Sequence, residues 1–230
     1  MFDKELGNIV LVSNPRAKHV IVRYRDDAFR VTHPPQLNEE AIAKIIEGMK
    51  PKLLNVIQKQ NNKRILSPDN ILTTYSFDVA LSESRYSNYY TKLQDRKLNI
   101  ICPSGTDFSD PSVQKTIWVI IEKYLRSEAK LILPDMVILL AGEKSLSYND
   151  VKINKSTSRW GSCSSRGNIN LSYKCLLLPE HLISFIILHE LCHTVEMNHG
   201  EKFWQLLDNV TGGKARALTR ELKVFSLSYI

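Results

Sequence analysis

The most regular alternation of apolar and polar positions runs through HVIVRYR, from His19 to Arg25, and resumes in AFRVTHP, from Ala28 to Pro34. Period-two alternation on both sides of Asp26-Asp27 predicts a β-hairpin, which Pro34-Pro35 closes. The period then lengthens. Asn38 suits an N-cap, Glu39 and Glu40 suit a first helical turn, and Ile42, Ile45, Ile46 and Met49 share one face. Pro51 either kinks this helix or opens a second one through Leu54 and Ile57. TYSFDVALSES, NYYTKLQ and, after Asp95-Arg96-Lys97, LNIICP predict a small antiparallel sheet between Thr73 and Pro103.

A second helical period starts at Asp110-Pro111, where Ile117, Val119, Ile120, Tyr124, Leu125 and Leu131 make a wide apolar face. Pro134 is expected to break it, leaving a short helix to Leu140 with Gly142 as the stop. VKINKSTS, SRWGSC and NINLSY read as strands, the last two joined by a turn over Ser164 to Gly167. No internal repeat is evident. From Pro179-Glu180 a helix carries Leu182, Ile183, Phe185, Ile186, Ile187 and Leu188, apolar nearly all round and so expected to be buried. EKFWQLLDNV predicts a further helix with Phe203, Trp204 and Leu207 turned inward, and Gly212-Gly213 separates it from a basic final helix whose buried side holds Leu218 and Leu222. The two parts are an amino-terminal β-rich region with a helix over 1–109 and a core over 110–230, or one continuous domain.

Composition narrows the class. With 43% hydrophobic and 24% charged residues in 230, the chain can bury a core without staples, which excludes a disordered or collagen-like protein. No apolar run approaches the ~20 residues that cross a bilayer, and MFDKELGNIV lacks a signal-peptide core, so a cytoplasmic protein with no membrane partner is expected. Cys102, Cys163, Cys175 and Cys192 form no C-x-x-C pair and read as free thiols filling apolar space. The formal charge is +7, and Val151 to Pro179 carries Lys152, Lys155, Arg159, Arg166 and Lys174 without a carboxylate. That stretch is either a solvated basic face or a surface for an anionic substrate or nucleic acid.

HELCHTVEMNH, from His189 to His199, carries the chemistry. His189 and His193 are four apart, so on a helix they differ by about 40° in azimuth and about 6 Å along the axis, and both imidazoles meet one ion. Glu190 stands where the H-E-x-x-H pattern places the base for a metal's water. A catalytic zinc usually takes three protein ligands, and His199 is the natural third. On a continued helix it would lie about 15 Å beyond His189, so the helix has to end first, with a turn at Met197-Asn198 and an exit at Gly200. A carboxylate from a later helix, such as Glu221, is the fallback.

SRWGSCSSRGNINLSY followed by LLLPEHLISFIILHELCHTVEMNHGEKFW resembles the YgjP-like zinc metallopeptidases, relatives of the SprT-like proteases in the zincin group. NPRAKHVIVRYRDDAFRVTHP resembles that family's amino-terminal region, and the similarity is weakest from Ser67 to Lys97. The resemblance implies an α+β fold with a zincin-like core, Zn2+ held by His189, His193 and His199, Glu190 as general base, and an edge strand beside the active-site helix that can hold a substrate backbone. Metzincins share the histidine spacing, but they carry Gly where Glu196 stands here.

The leading expectation is a zinc metallopeptidase acting on protein or peptide. Two alternatives are a metal-dependent nucleotide or phosphoanhydride hydrolase and a nucleic-acid-associated protein with a structural zinc. Arg159 is a candidate oxyanion donor or carboxylate anchor, set against packing or a salt bridge. Trp160, with Gly161 permitting close backbone approach, is a candidate cleft wall, set against a core role; Trp204 is set between core packing and support of His199.

Overall fold

The computed structural model describes residues 1–25, 28–61, 65–156 and 158–225, and it divides into two compact units, Met1–Lys63 and Arg64–Ile230. The first has strands β1 (Phe2–Asp3), β2 (Gly7–Ser13), β3 (Ile21–Arg25) and β4 (Ala28–His33), followed by helix α1 (Glu39–Asn61). The order across the sheet is β1-β2-β4-β3, with β2 and β4 parallel and the other pairs antiparallel. The expected hairpin is thus present as β3 and β4, while its Asp26-Asp27 turn lies outside the described residues. Asn38 caps α1 by accepting from the Ala41 amide at 2.9 Å. The helix runs through Pro51 without ending, and Ile42, Ile46 and Leu53 close on Ile9, Phe29 and Val31 to make this unit's own core.

The second unit begins with the same plan. Strands β5 (Leu72–Thr73), β6 (Asp78–Glu83), β7 (Tyr90–Gln94) and β8 (Lys97–Cys102) form a sheet of order β5-β6-β8-β7, and helix α2 (Pro111–Glu143) follows. Its β6 and β8 are parallel, and its outer pairs antiparallel. The strand-strand-strand-strand-helix plan is therefore used twice, a repeat of topology that residue identities do not display. The expected all-antiparallel sheet is corrected on the same ground. Leu98, Ile100 and Cys102 are all 0% exposed, so β8 has to be an inner strand, and after the β7–β8 hairpin it returns parallel to β6. Asp95 and Arg96, with φ of 50° and 58°, make the tight turn. These strands share one core with α2, so the β-rich region drawn from the sequence over 1–109 is divided between the two units.

Helix α2 does not break at Pro134. It is one helix of 33 residues, roughly 50 Å long at 1.5 Å per residue, capped by Asp110, whose side chain accepts from the Ser112 amide. A proline inside a helix costs a hydrogen bond, but here Ile117, Ile121, Leu125, Ala129, Leu133, Val137 and Ala141 form a continuous buried stripe on both sides of it. That burial outweighs the local defect.

On this core lies a second sheet of β9 (Asp150–Asn154), β10 (Gly161–Cys163) and β11 (Asn168–Ser172), in the order β10-β11-β9. β10 is antiparallel to β11 and β9 is parallel to it, so β10 is an edge strand. Helices α3 (Glu180–Cys192), α4 (Glu201–Val210) and α5 (Ala215–Leu222) complete the unit, with α3 packed against α2, α4, α5 and β10. Cys102, Cys175 and Cys192 are buried free thiols and Cys163 is half-buried. Among the described residues no helix is long and apolar enough to cross a membrane. Leu133→Ala, which empties the middle of the α2 stripe, is expected to cost about 2–5 kcal/mol, read as a lower urea midpoint with an unchanged slope.

Candidate metal centre

Beyond its first turn helix α3 is apolar nearly all round: Leu182, Ile183, Phe185, Ile186, Ile187, Leu188, Leu191 and Cys192 are all buried. Surrounded in this way, it holds His189 and Glu190 in fixed positions. The helix ends at Cys192, earlier than the Met197-Asn198 turn expected, but His193 keeps helical backbone angles and its amide still reaches the His189 carbonyl. The one-turn spacing therefore survives. The chain then turns back, the Gly200 amide donating to the Asn198 carbonyl at 2.7 Å, and α4 starts immediately afterwards. This reversal returns His199 to the other two rings.

Nε2 of His199 lies 3.1 Å from Nε2 of His193 and 3.0 Å from Nε2 of His189, and ligand atoms of all three fall within 4.8 Å of one another. Nitrogens with lone pairs this close repel unless a proton or a cation lies between them. A tetrahedral ion with bonds of about 2.0–2.1 Å would space its nitrogens about 3.3 Å apart, so the donor set fits a metal such as zinc. Nδ1 of His193 lies 3.1 Å from the Glu196 carbonyl, and donating there leaves Nε2 as the acceptor in a neutral ring. Burial, then the neighbouring His193 and His199, holds His189 down to about 4, and burial lowers His193 as well. Both rings thus favour the neutral form that binds metal. Glu221, the fallback ligand, instead meets Nε2 of His181 at 2.7 Å.

Glu190 is buried, 6% exposed, and that burial pushes its carboxyl up to about 7 against the pull of Arg159. Gly161 of β10 lies directly against it. A Cβ at that position would sit 2.7 Å from both Cγ and Oε1 of Glu190, so only glycine lets the strand approach the carboxylate this closely. Beside the pair opens a cavity of about 310 Å3, lined by Arg159, Trp160, Phe185, Ile186, Thr219 and Leu222 together with His189 and Glu190. Arg159 and Trp160 therefore both border the centre; Trp160 also packs against the core and accepts the Ser172 amide on its carbonyl at 2.8 Å. Sequence reasoning missed the contribution of α5 to this cavity and the contact between Gly161 and Glu190. Trp204 is half-buried, its ring 6.4 Å from that of His199, with the Arg216 guanidinium stacked on it at 3.6 Å. Of the basic stretch, Lys152, Lys155, Arg159 and Arg166 are exposed, with Lys152 3.5 Å from Asp150, and Lys174 is buried.

A buried carboxylate beside three convergent imidazoles, on a helix flanked by an edge strand, is the arrangement of a metal-dependent hydrolase. Residues 18–224 match the family described as YgjP-like, metallopeptidase domain, and the chain belongs to that family. It is a metallopeptidase. Among solved structures, the metallopeptidase zymogen abylysin of Pyrococcus abyssi is similar, at 22% identity and a TM-score of 0.37, over 41% of this chain and 95% of that one. The metallopeptidase zymogen jannalysin of Methanocaldococcus jannaschii is similar at 28% identity and a TM-score of 0.32, over 40% and 92%. No curated protein matches the chain. Gly161→Ala is expected to leave metal content unchanged while peptide hydrolysis falls on the order of a hundredfold, because the added methyl displaces the Glu190 carboxylate; metal analysis beside turnover measurements checks this.

Proposed function

We propose that the protein is a zinc-dependent peptidase in which His189, His193 and His199 hold the ion and Glu190 is the general base. The observation that carries this reading is the convergence of the three Nε2 atoms next to a buried carboxylate that opens on a cavity. When bound, zinc supplies a Lewis acid that lowers the pKa of water to about 7 and polarises a carbonyl. Glu190 takes the proton of the attacking water and returns it to the leaving amine nitrogen. Gly161 keeps the carboxylate of Glu190 in place for both transfers, and the surrounding apolar side chains exclude bulk water from it.

A peptide substrate suits the surroundings. The free edge of β10 runs beside α3 and offers backbone groups to an extended chain, which would bind as an added strand. The neighbouring cavity takes a substrate side chain. Phe185, Ile186 and Leu222 give it apolar walls, and the Thr219 hydroxyl donates to the Ala215 carbonyl at 2.7 Å. Arg159 brings a positive charge to the same cavity, where it would hold a substrate carboxylate or carbonyl oxygen. The nucleotide and nucleic-acid readings gain no comparable support: of the cations that prompted them, Arg159 lines the cavity, whereas Lys152, Lys155 and Arg166 do not and Lys174 is buried.

Glu190→Gln tests the mechanism. The variant is expected to bind zinc as the wild type does, by metal analysis, and to lose roughly 10²–10⁴ in peptide turnover on an unbiased peptide library. Retained turnover would remove Glu190 from the base role; loss of zinc would make the residue a ligand instead.

A further inference from the structure

Phe203 is 0% exposed and occupies the third position of α4, four residues after His199. Its ring touches all three imidazoles. It is stacked on His193, with centroids 4.5 Å apart and planes at 25°, and meets His199 edge-on at 4.7 Å and 76° and His189 at 5.0 Å and 71°. The three rings also contact one another, at centroid separations of 4.6 to 5.0 Å. One flat apolar surface therefore contacts three ligands contributed by a helix, its C-terminal cap and a reversed turn.

We propose that Phe203 is a positioning residue for the metal centre, a platform that sets the orientation of the three imidazoles before the ion arrives. The proposal rests on the three-histidine zinc site put forward above. The chemistry follows from the contacts. Three imidazoles whose Nε2 atoms converge at about 3 Å gain from rotating apart when neither a proton nor a cation lies between them, and a ligand set that scatters has to be reordered at the cost of affinity. His193 has the Glu196 carbonyl to orient it. His199 stands on an exposed turn, where ring contact with Phe203 and Trp204 limits its rotation. An aromatic ring suits this place because it presents a broad face to His193 and an edge to the others, and carries no donor or acceptor that would compete for Nε2. The same ring belongs to the core of the unit, so α4 and the ligand cluster are fixed by one side chain.

The test separates positioning from general packing. Phe203→Leu and Phe203→Met keep an apolar side chain but remove the flat ring; Leu207→Ala empties an equally buried site one turn along the same helix. Zinc affinity is measured by competition with a chromophoric chelator, and the absorption bands of the cobalt-substituted protein report ligand geometry, both on protein shown to be folded by circular dichroism. Both Phe203 variants are expected to bind zinc about 10-fold more weakly and to shift the cobalt bands. Leu207→Ala is expected to be less stable to urea with affinity and bands unchanged. Wild-type affinity in either folded Phe203 variant, or an equal loss in Leu207→Ala, overturns the proposal. A wild-type protein that binds no zinc would instead remove the metal site on which it rests.

Discussion

Three imidazole nitrogens from one short segment have to meet at a point, and a helix alone brings only two of them together. His189 and His193 are matched by the pitch of α3, but His199 reaches them only because that helix stops at Cys192 and the chain reverses before Gly200. The reversal in turn depends on α4, which begins at Glu201 and anchors itself through Phe203 and Leu207 in the same core that surrounds α3. The imidazole cluster and the hydrophobic core are thus two sides of one packing arrangement. Phe203, which lies in that core and against all three rings, is the side chain they share.

The carboxylate follows the same logic from the next position of α3. Glu190 is buried because α3 is buried, and its place is narrowed further by a strand that comes within contact distance through a glycine. Burial pushes the carboxyl up to about 7, against the pull of Arg159. The cavity alongside is completed by α5, with Thr219 and Leu222 in its wall. The elements that form the centre are consequently spread from β10 to α5, while the chemistry is concentrated in eleven positions of the chain, His189 to His199.

Those positions were legible because their constraint is local. The four-residue spacing of His189 and His193, the adjacent Glu190 and the apolar run before them need no tertiary information. His199 could be named only as a candidate, since a chain reversal is a property of the packed structure. The misreadings share that origin. Pro134 carries a real local penalty, yet the buried stripe from Ile117 to Ala141 keeps α2 whole. The strands between Asp78 and Cys102 were each recognisable, but their order was not, because it is set by which strand has to be buried on the core. Gly161 could be suspected of allowing a close approach without any sign of what approaches it. Phe203 is legible as an inward-facing residue, which it is; its contact with the three rings is not, because His199 lies outside α4 and is brought there by the chain reversal.

His189, His193 and His199 are proposed to close on a single zinc ion and to leave one position open. X-ray absorption spectroscopy at the zinc edge of the metal-loaded protein tests it most directly. Three imidazole nitrogens at about 2.0–2.1 Å and one further light-atom ligand from solvent are expected. A first shell with two imidazoles, or one completed by cysteine sulfur, would contradict it.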